Sequence, residues 1–207
     1  MNFETNVFIN CPFDSEYRSL LKPLLFTILY LDLEPLISET ESSGYIRINE
    51  IRKLISHSKY SIHDISRSEP LAPGDLPRFN MSYEMGLDIG CQYFGSRKLK
   101  SKQCLILDKE KYRYQKTLSD ISGQDIKDHN NDPQRLISKV REWFVKILGQ
   151  HLPGATTIWN TYTEFIADLT VNLADEGFNE KEIDELPYSN FILIARLWIE
   201  NYKVAFS

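Results

Sequence analysis

The sequence predicts an α/β protein: a flavodoxin-like, doubly wound, five-stranded parallel sheet in the order 2-1-3-4-5, followed by a C-terminal helical extension. Three observations lead there. Short β-branched and apolar runs alternate with segments of helical periodicity. The connections between runs are too long for hairpins, which calls for parallel βαβ units. The runs are continuously apolar, as expected where helices cover both faces of a sheet. In this topology the ligand crevice opens at the carboxyl ends of the first and third strands, where the strand order reverses.

Asn6 to Cys11 (NVFINC) reads as a buried strand stopped by Pro12. Asp14 or Ser15 can cap the next segment, where Leu20, Leu21, Leu24, Leu25, Ile28 and Leu31 recur at helical spacing around Pro23. Glu34 to Ser38 is a second strand, and a polar loop over Glu39 to Gly44 leads into a helix carrying Ile48, Ile51, Leu54 and Ile55. Tyr60 to Ile65 (YSIHDI) is the third strand, followed by a proline-rich loop from Arg67 to Arg78 and a helix over Asn80 to Tyr93. Gln103 to Asp108 (QCLILD) is the fourth strand, Tyr112 to Asp120 a short helix, and Ile126 lies in a weak fifth strand. Asp132-Pro133 is a helix start, an N-cap followed by proline at the first helical position. These elements assign residues 1–150 to the sheet domain.

Residues 151–207 form the extension. Ile158, Tyr162, Phe165, Ile166, Leu169 and Leu173 mark one amphipathic helix that Gly177 can end, and Ser189 can cap a last helix after Pro187. Both need a partner surface, either the sheet domain or a second copy in a homo-oligomer.

Composition narrows the function. With 24 basic and 29 acidic side chains in 207 residues the net charge is −5, which argues against a nucleic-acid partner. Hydrophobic residues at 42% and charged residues at 26% exclude a disordered or fibrous chain. Cys11, Cys91 and Cys104 show no C-x-x-C spacing and read as free thiols in a reducing compartment. No basic and apolar leader opens the sequence, and the longest apolar stretch, Phe191 to Ala195, is broken by Arg196. The expectation is a cytoplasmic protein without a membrane partner. Phosphate-loop, dinucleotide-fingerprint, zinc-protease and serine-hydrolase motifs are absent, and His57, His63, His129 and His151 have no metal-ligand spacing. No metal or cofactor is expected.

One segment carries chemistry: Asp64-Ile-Ser-Arg67, the loop, then Pro77-Arg-Phe-Asn-Met-Ser-Tyr-Glu-Met-Gly86. Asp64 ends the third strand and Glu84 lies one turn into the next helix, so both border the crevice. Asn80, Glu84 and Asp88 share one stripe of that helix, which is either a ligand-facing stripe or its solvent face. Gly86 and Gly90 permit close approach of a neighbouring element or ligand. Arg67 and Arg78 flank the loop as donors for phosphates, or as solvated loop arginines, and Phe13, after the first strand, is a platform for a base. Two further groupings are weaker: a Cys11–His63 nucleophile pair, and the charged aromatic run Asp108 to Tyr114 that either stacks on a base or is a surface connection.

The run Asp64-Ile-Ser … Phe79-Asn-Met-Ser-Tyr-Glu-Met-Gly86 resembles bacterial TIR-like nucleotide-binding proteins. In these an aspartate ends a strand and Asn-x-x-Tyr-Glu-Leu-Gly opens the next helix. It is also similar to the nucleoside 2-deoxyribosyltransferase superfamily, which has a comparable strand Asp and a Glu-x-Gly helix. The similarity spans residues 6–108, and Met85 stands where the TIR-like pattern has leucine. The resemblance implies that Glu84 attacks or stabilises the anomeric carbon of a ribosyl group, with Asp64 holding a ribose hydroxyl or orienting the glutamate. Asn80, Tyr83 and Gly86 then surround the ligand. The implied activity is N-glycosidic cleavage of NAD, as substrate and not cofactor, or of a related nucleotide, with a link to antiviral defence. Such cleavage passes through an oxocarbenium-like state that a carboxylate under the sugar stabilises. The rival expectation is a nucleotide-sensing module without turnover that assembles through its C-terminal helices.

Overall fold

The computed structural model describes residues 2–38, 46–68 and 76–205. The polar loop expected at 39–44 and residues 69–75 of the proline-rich loop lie outside the described residues. The sheet has five parallel strands: β1 (Asn6–Asn10), β2 (Glu34–Ile37), β3 (Tyr60–Asp64), β4 (Gln103–Asp108) and β5 (Lys127–Asp128). Their order is β2-β1-β3-β4-β5, the flavodoxin-like arrangement that the alternating pattern predicts. Asn10 pairs with His63 across β1 and β3, which fixes the register at the switch point.

The helices are α1 (Arg18–Tyr30), α2 (Arg47–Ser56), α3 (Asn80–Phe94), α4 (Pro133–Leu148), α5 (Ala155–Asp175), the short α6 (Glu180–Asp184) and α7 (Tyr188–Ala205). The Asp132 side chain accepts from the main-chain N–H groups of Gln134 (2.8 Å) and Arg135 (3.3 Å) at the start of α4. Gly149 closes that helix at φ 63°, so the sequence signals at both ends operate as expected. Pro23 sits inside α1, where it removes a single ladder donor, and the helix continues to Tyr30. The sequence reading missed α6, although Asn179 and Glu182 form a reciprocal capping box at its start.

Two expected elements are reduced. The helix expected over Tyr112 to Asp120 is replaced by 3-10 turns at Arg113–Lys116 and Ser119–Ile121. Tyr112 adopts φ 63°, and the guanidinium of Arg113 folds inward onto Asp108, which sets a path no α-helix follows. The fifth strand is only two residues long and begins just after Ile126.

The pleat sorts side chains into two unlike layers. Val7, Ile9, Tyr60, Ile62, Leu105 and Leu107 face α1 and α4 in a large apolar core. That core runs on without a break into α5 and α7: Phe26 of α1 stacks on Phe165 of α5 (5.3 Å) and lies 6.2 Å from Trp198 of α7. The C-terminal helices thus bury their apolar faces on the sheet domain, each large side chain contributing about 1.5–3 kcal/mol. The opposite layer is different. Phe8 packs on Ile51, Leu54 and Ile55 of α2, but Asn6, Asn10, Ser61 and His63 are buried there too. No helix among the described residues is long and apolar enough to cross a membrane.

Candidate functional site

The switch point between β1 and β3 is where the chemistry gathers. Asp64 ends β3, Cys11, Phe13 and Asp14 follow β1, the start of α2 supplies Arg47, and Glu84 lies one turn into α3.

Glu84 is on the inner face of α3, together with Met81, Met85 and Asp88, and is only 6% exposed. The solvent-face alternative for the Asn80–Glu84–Asp88 stripe is therefore wrong for its last two members, while Asn80 is exposed. Among the described residues no hydrogen bond reaches the Glu84 carboxylate. Burial pushes its carboxyl up, and the nearby Arg47 and His63 only partly oppose that. A buried, underbonded carboxylate at a strand-order switch is poised for a ligand.

Arg47 was not singled out by its sequence context. Its guanidinium lies 6.0 Å from the centroid of the Phe13 ring and forms no ion pair among the described residues. Phe13 is also held edge-on by Tyr188 of α7 at 6.1 Å, so the platform is half-buried and braced. Phe13, Arg47 and Glu84 thus line one end of the crevice with an aromatic ring, a cation and a carboxylate.

Asp64 is placed differently from Glu84. Its Oδ1 accepts from the Ser66 main-chain N–H (2.8 Å), and its Oδ2 accepts from the Tyr17 hydroxyl (2.5 Å). His129 Nε2 stands 2.9 Å from Oδ2, at ion-pair distance without the alignment of a hydrogen bond. Burial pushes the Asp64 carboxyl up, but His129, Ser66 and Tyr17 together hold it below its usual range. Asp64 is a buried anchor of the crevice wall, and it drives the Tyr17 phenol well up, second to burial itself. Cys11 lies among these acids: burial, then Asp64, Glu84 and Asp14, raise its thiol well above the ordinary range, so it stays protonated.

The two loop arginines turn back on the protein. Arg67 grips Asp14 through Nε (3.3 Å) and Nη2 (3.1 Å) and reaches Glu16 at 2.9 Å. Arg78 Nη1 meets the same Asp14 at 3.3 Å, and its main-chain N–H bonds the Arg67 carbonyl at 3.0 Å. Together these contacts close the base of the loop. Tyr83 is 59% exposed on the outer side of α3, and Gly86 is exposed as well. A Cβ at Gly86 or Gly90 would meet nothing within 4 Å among the described residues, so none of these approaches either glycine closely. The structure turns Glu84 inward and leaves Asn80, Tyr83 and Gly86 on the helix exterior.

The Cys11–His63 pair does not form. The two residues project from opposite faces of the sheet: Cys11 joins the apolar layer, and His63 lies among the polar residues beneath α3. The run from Asp108 to Tyr114 is no base-stacking surface either, because Arg113 and Tyr114 are buried. Arg113 bonds Asp108 and the Ile65 carbonyl (3.2 Å), bracing the end of β3.

A buried polar chain supports Glu84 from below. The Asn10 amide donates to the Met81 carbonyl (2.7 Å) and to His63 Nδ1 (2.9 Å). His63 Nε2 meets Asp88 Oδ2 at 3.0 Å, and Lys102 Nζ lies 3.0 Å from Asp88 Oδ1. Lys102 also donates to the carbonyls of Ile55 (2.9 Å) and Ser58. Burial opposes a charge on His63, Cys104 and Asp88 outweigh it and push the ring up to about 9, and the Asn10 amide hydrogens aimed at Nδ1 work against the second proton. The Met81 carbonyl fixes the Asn10 amide hydrogens toward Nδ1, so Nδ1 accepts and the proton resides on Nε2. His63, Asp88 and Cys104 have donor atoms within 4.8 Å of one another, the spacing of a metal site. The donor set does not suit a cation: the Nε2 proton and the Lys102 ammonium already occupy the Asp88 oxygens.

No family model, no curated protein and no solved structure matches this chain.

Proposed function

We propose that this protein is a TIR-like N-glycosidase that cleaves the bond between ribose and base in NAD or a related nucleotide, with Glu84 acting on the anomeric carbon. The observation that carries the reading is the Glu84 carboxylate itself, buried at the switch point without a hydrogen-bond partner among the described residues and beside Arg47. In the reaction the base departs from the anomeric carbon as positive charge develops on the ribosyl ring. Glu84 stabilises that charge or bonds to the carbon, and water then takes up the sugar. A nicotinamide leaving group is already cationic and needs no acid. Arg47 holds the phosphates and Phe13 faces the base. Asp64 serves as a wall that keeps Tyr17 and His129 in place, since its oxygens are already engaged.

The test is incubation of the purified chain with NAD and, separately, with deoxynucleosides, following free base by chromatography. Release of base that Glu84→Gln reduces at least a hundredfold supports the reading. Release unaffected by that substitution overturns it.

A second reading, a nucleotide-sensing module within the same crevice, is favoured by the commitment of Asp64 to internal partners, which leaves Glu84 without a second catalytic carboxylate. Binding of NAD without base release decides for it.

A further inference from the structure

The charge of this chain is unevenly distributed. Residues 151–207 contain nine acidic and three basic side chains, whereas residues 1–150 contain twenty acidic and twenty-one basic ones. All of the net negative charge therefore belongs to the C-terminal helices. Between α5 and α7 lies an open groove of about 570 Å³, floored by Phe165, Leu169, Leu173, Ile194 and Trp198. Asp175 and Glu176 stand at one end, both exposed and neither in an ion pair among the described residues. The carbonyl end of α5 adds negative partial charge at the same place. Among the described residues no basic side chain lines the groove.

A patch of opposite character ends α3. Phe94 is 91% exposed and Tyr93 67% exposed, and their rings lie 6.4 Å apart. Arg97, Lys98 and Lys100 follow, all exposed. Lys98 rests over the Phe3 ring at 4.3 Å, whereas Arg97 and Lys100 make no ion pair among the described residues. This is an apolar knob set in positive charge, and the groove is an apolar hollow set in negative charge. A cavity of about 150 Å³ already admits one benzene ring, so the groove has room for both aromatic side chains. They cannot meet within one molecule, because α3 packs on one face of the sheet, whereas α5 and α7 pack on α1 and α4, which cover the other.

We propose that the chain assembles head to tail, the Tyr93–Phe94 corner of one protomer seating in the α5–α7 groove of a second copy, with Arg97 and Lys100 facing Asp175 and Glu176. Two different patches make this a heterologous contact, which propagates into a filament or closes into a ring. Burial of the two rings supplies affinity, and the charges supply orientation and salt sensitivity.

Sedimentation velocity on the full chain, from low micromolar to near-millimolar protein and at low and high salt, tests the proposal. The wild type is expected to grow with concentration and to shrink with salt. Phe94→Glu alone, and Asp175→Lys with Glu176→Lys, are each expected to be monomeric. All three positions are exposed, and melting curves matching the wild type establish that both variants fold. The decisive sample is an equimolar mixture of the two variants: the intact groove of the first accepts the intact corner of the second, giving a dimer and nothing larger. A wild type that stays monomeric, a variant that assembles as the wild type does, or a mixture that stays monomeric overturns the proposal.

Discussion

The side-chain amide of Asn10 donates a 2.7 Å hydrogen bond to the main-chain carbonyl of Met81, tying the end of β1 to the first turn of α3, three residues before Glu84. The same amide donates to His63 Nδ1, so a single residue sets both the position of the helix and the tautomer of the histidine beneath it. Asn10→Ala leaves a buried carbonyl and a buried ring nitrogen without partners. The expected loss is about 2–4 kcal/mol of unfolding free energy, read from urea titration. A loss below about 0.5 kcal/mol, the scatter of ordinary surface substitutions, contradicts the assigned bonds.

Lys102 and Asp88 form a buried ion pair at 3.0 Å. Lys102→Met leaves the Asp88 carboxylate buried with one partner fewer, and a loss of about 3–5 kcal/mol is expected. Lys102→Met combined with Asp88→Leu removes both charges and is expected to be less destabilised than Lys102→Met alone. Equal or greater damage in the double variant, measured in the same titrations, would refute the pairing.

Glu84 and Asp64 are expected to give opposite pH signatures. The Asp64 carboxyl is held below its usual range, so its contribution is fully present above the unfolded pKa of about 3.9 and is lost as pH falls through the lower folded value. Asp64→Asn is expected to flatten that acid limb. The Glu84 carboxyl is raised, so its ionised form costs stability above the raised value. Glu84→Gln is therefore expected to melt higher than the wild type at pH 7, by about 2–4 °C for each kcal/mol relieved, and to lose that advantage below pH ~4, where both states of the wild type bind the proton. Thermal scans across pH read both signs, and a Glu84→Gln protein less stable than the wild type at pH 7 removes the basis for a strained carboxylate.

Phe165 joins α5 to Phe26 of α1 and, at 5.5 Å, to Phe191 of α7. Phe165→Ala is expected to cost about 3–5 kcal/mol. Because one apolar core runs from the sheet into α5 and α7, unfolding is expected to remain a single transition by both far-ultraviolet circular dichroism and tryptophan fluorescence. A separate early transition, with partial loss of helical circular dichroism alongside a change in tryptophan fluorescence, would show that the C-terminal helices melt on their own.

Arg47→Ala tests the crevice from the ligand side. If base release is found, the expected effect is a rise in KM of about tenfold with kcat little changed, since a phosphate contact binds ground and transition states alike. A fall in kcat at constant KM would move Arg47 to the reacting centre.

The strands and most helix ends were legible in the residues alone, because those are local matters, and the strand order followed from the parallel βαβ pattern. A continuous apolar run, an Asp-Pro helix start and a glycine after the last turn act through neighbours a few residues away. The sequence also marked Glu84 as a residue at the crevice, because chain topology alone puts the start of α3 at the end of β3. Which way that glutamate faces was beyond it: polar residues at i, i+4 and i+8 have the same spacing whether they meet solvent or a polar layer of sheet. Only the tertiary structure decided this, by placing Asn10, His63 and Lys102 under α3, where Asp88 finds buried partners from β3 and the start of β4. The partners of Arg67 and Arg78 were equally out of reach, since Asp14 is more than fifty residues away in the chain. The same holds for Arg47, a residue of ordinary appearance until folding brings it between Phe13 and Glu84. Periodicity reports which residues share a face, and only the packed molecule says what that face meets.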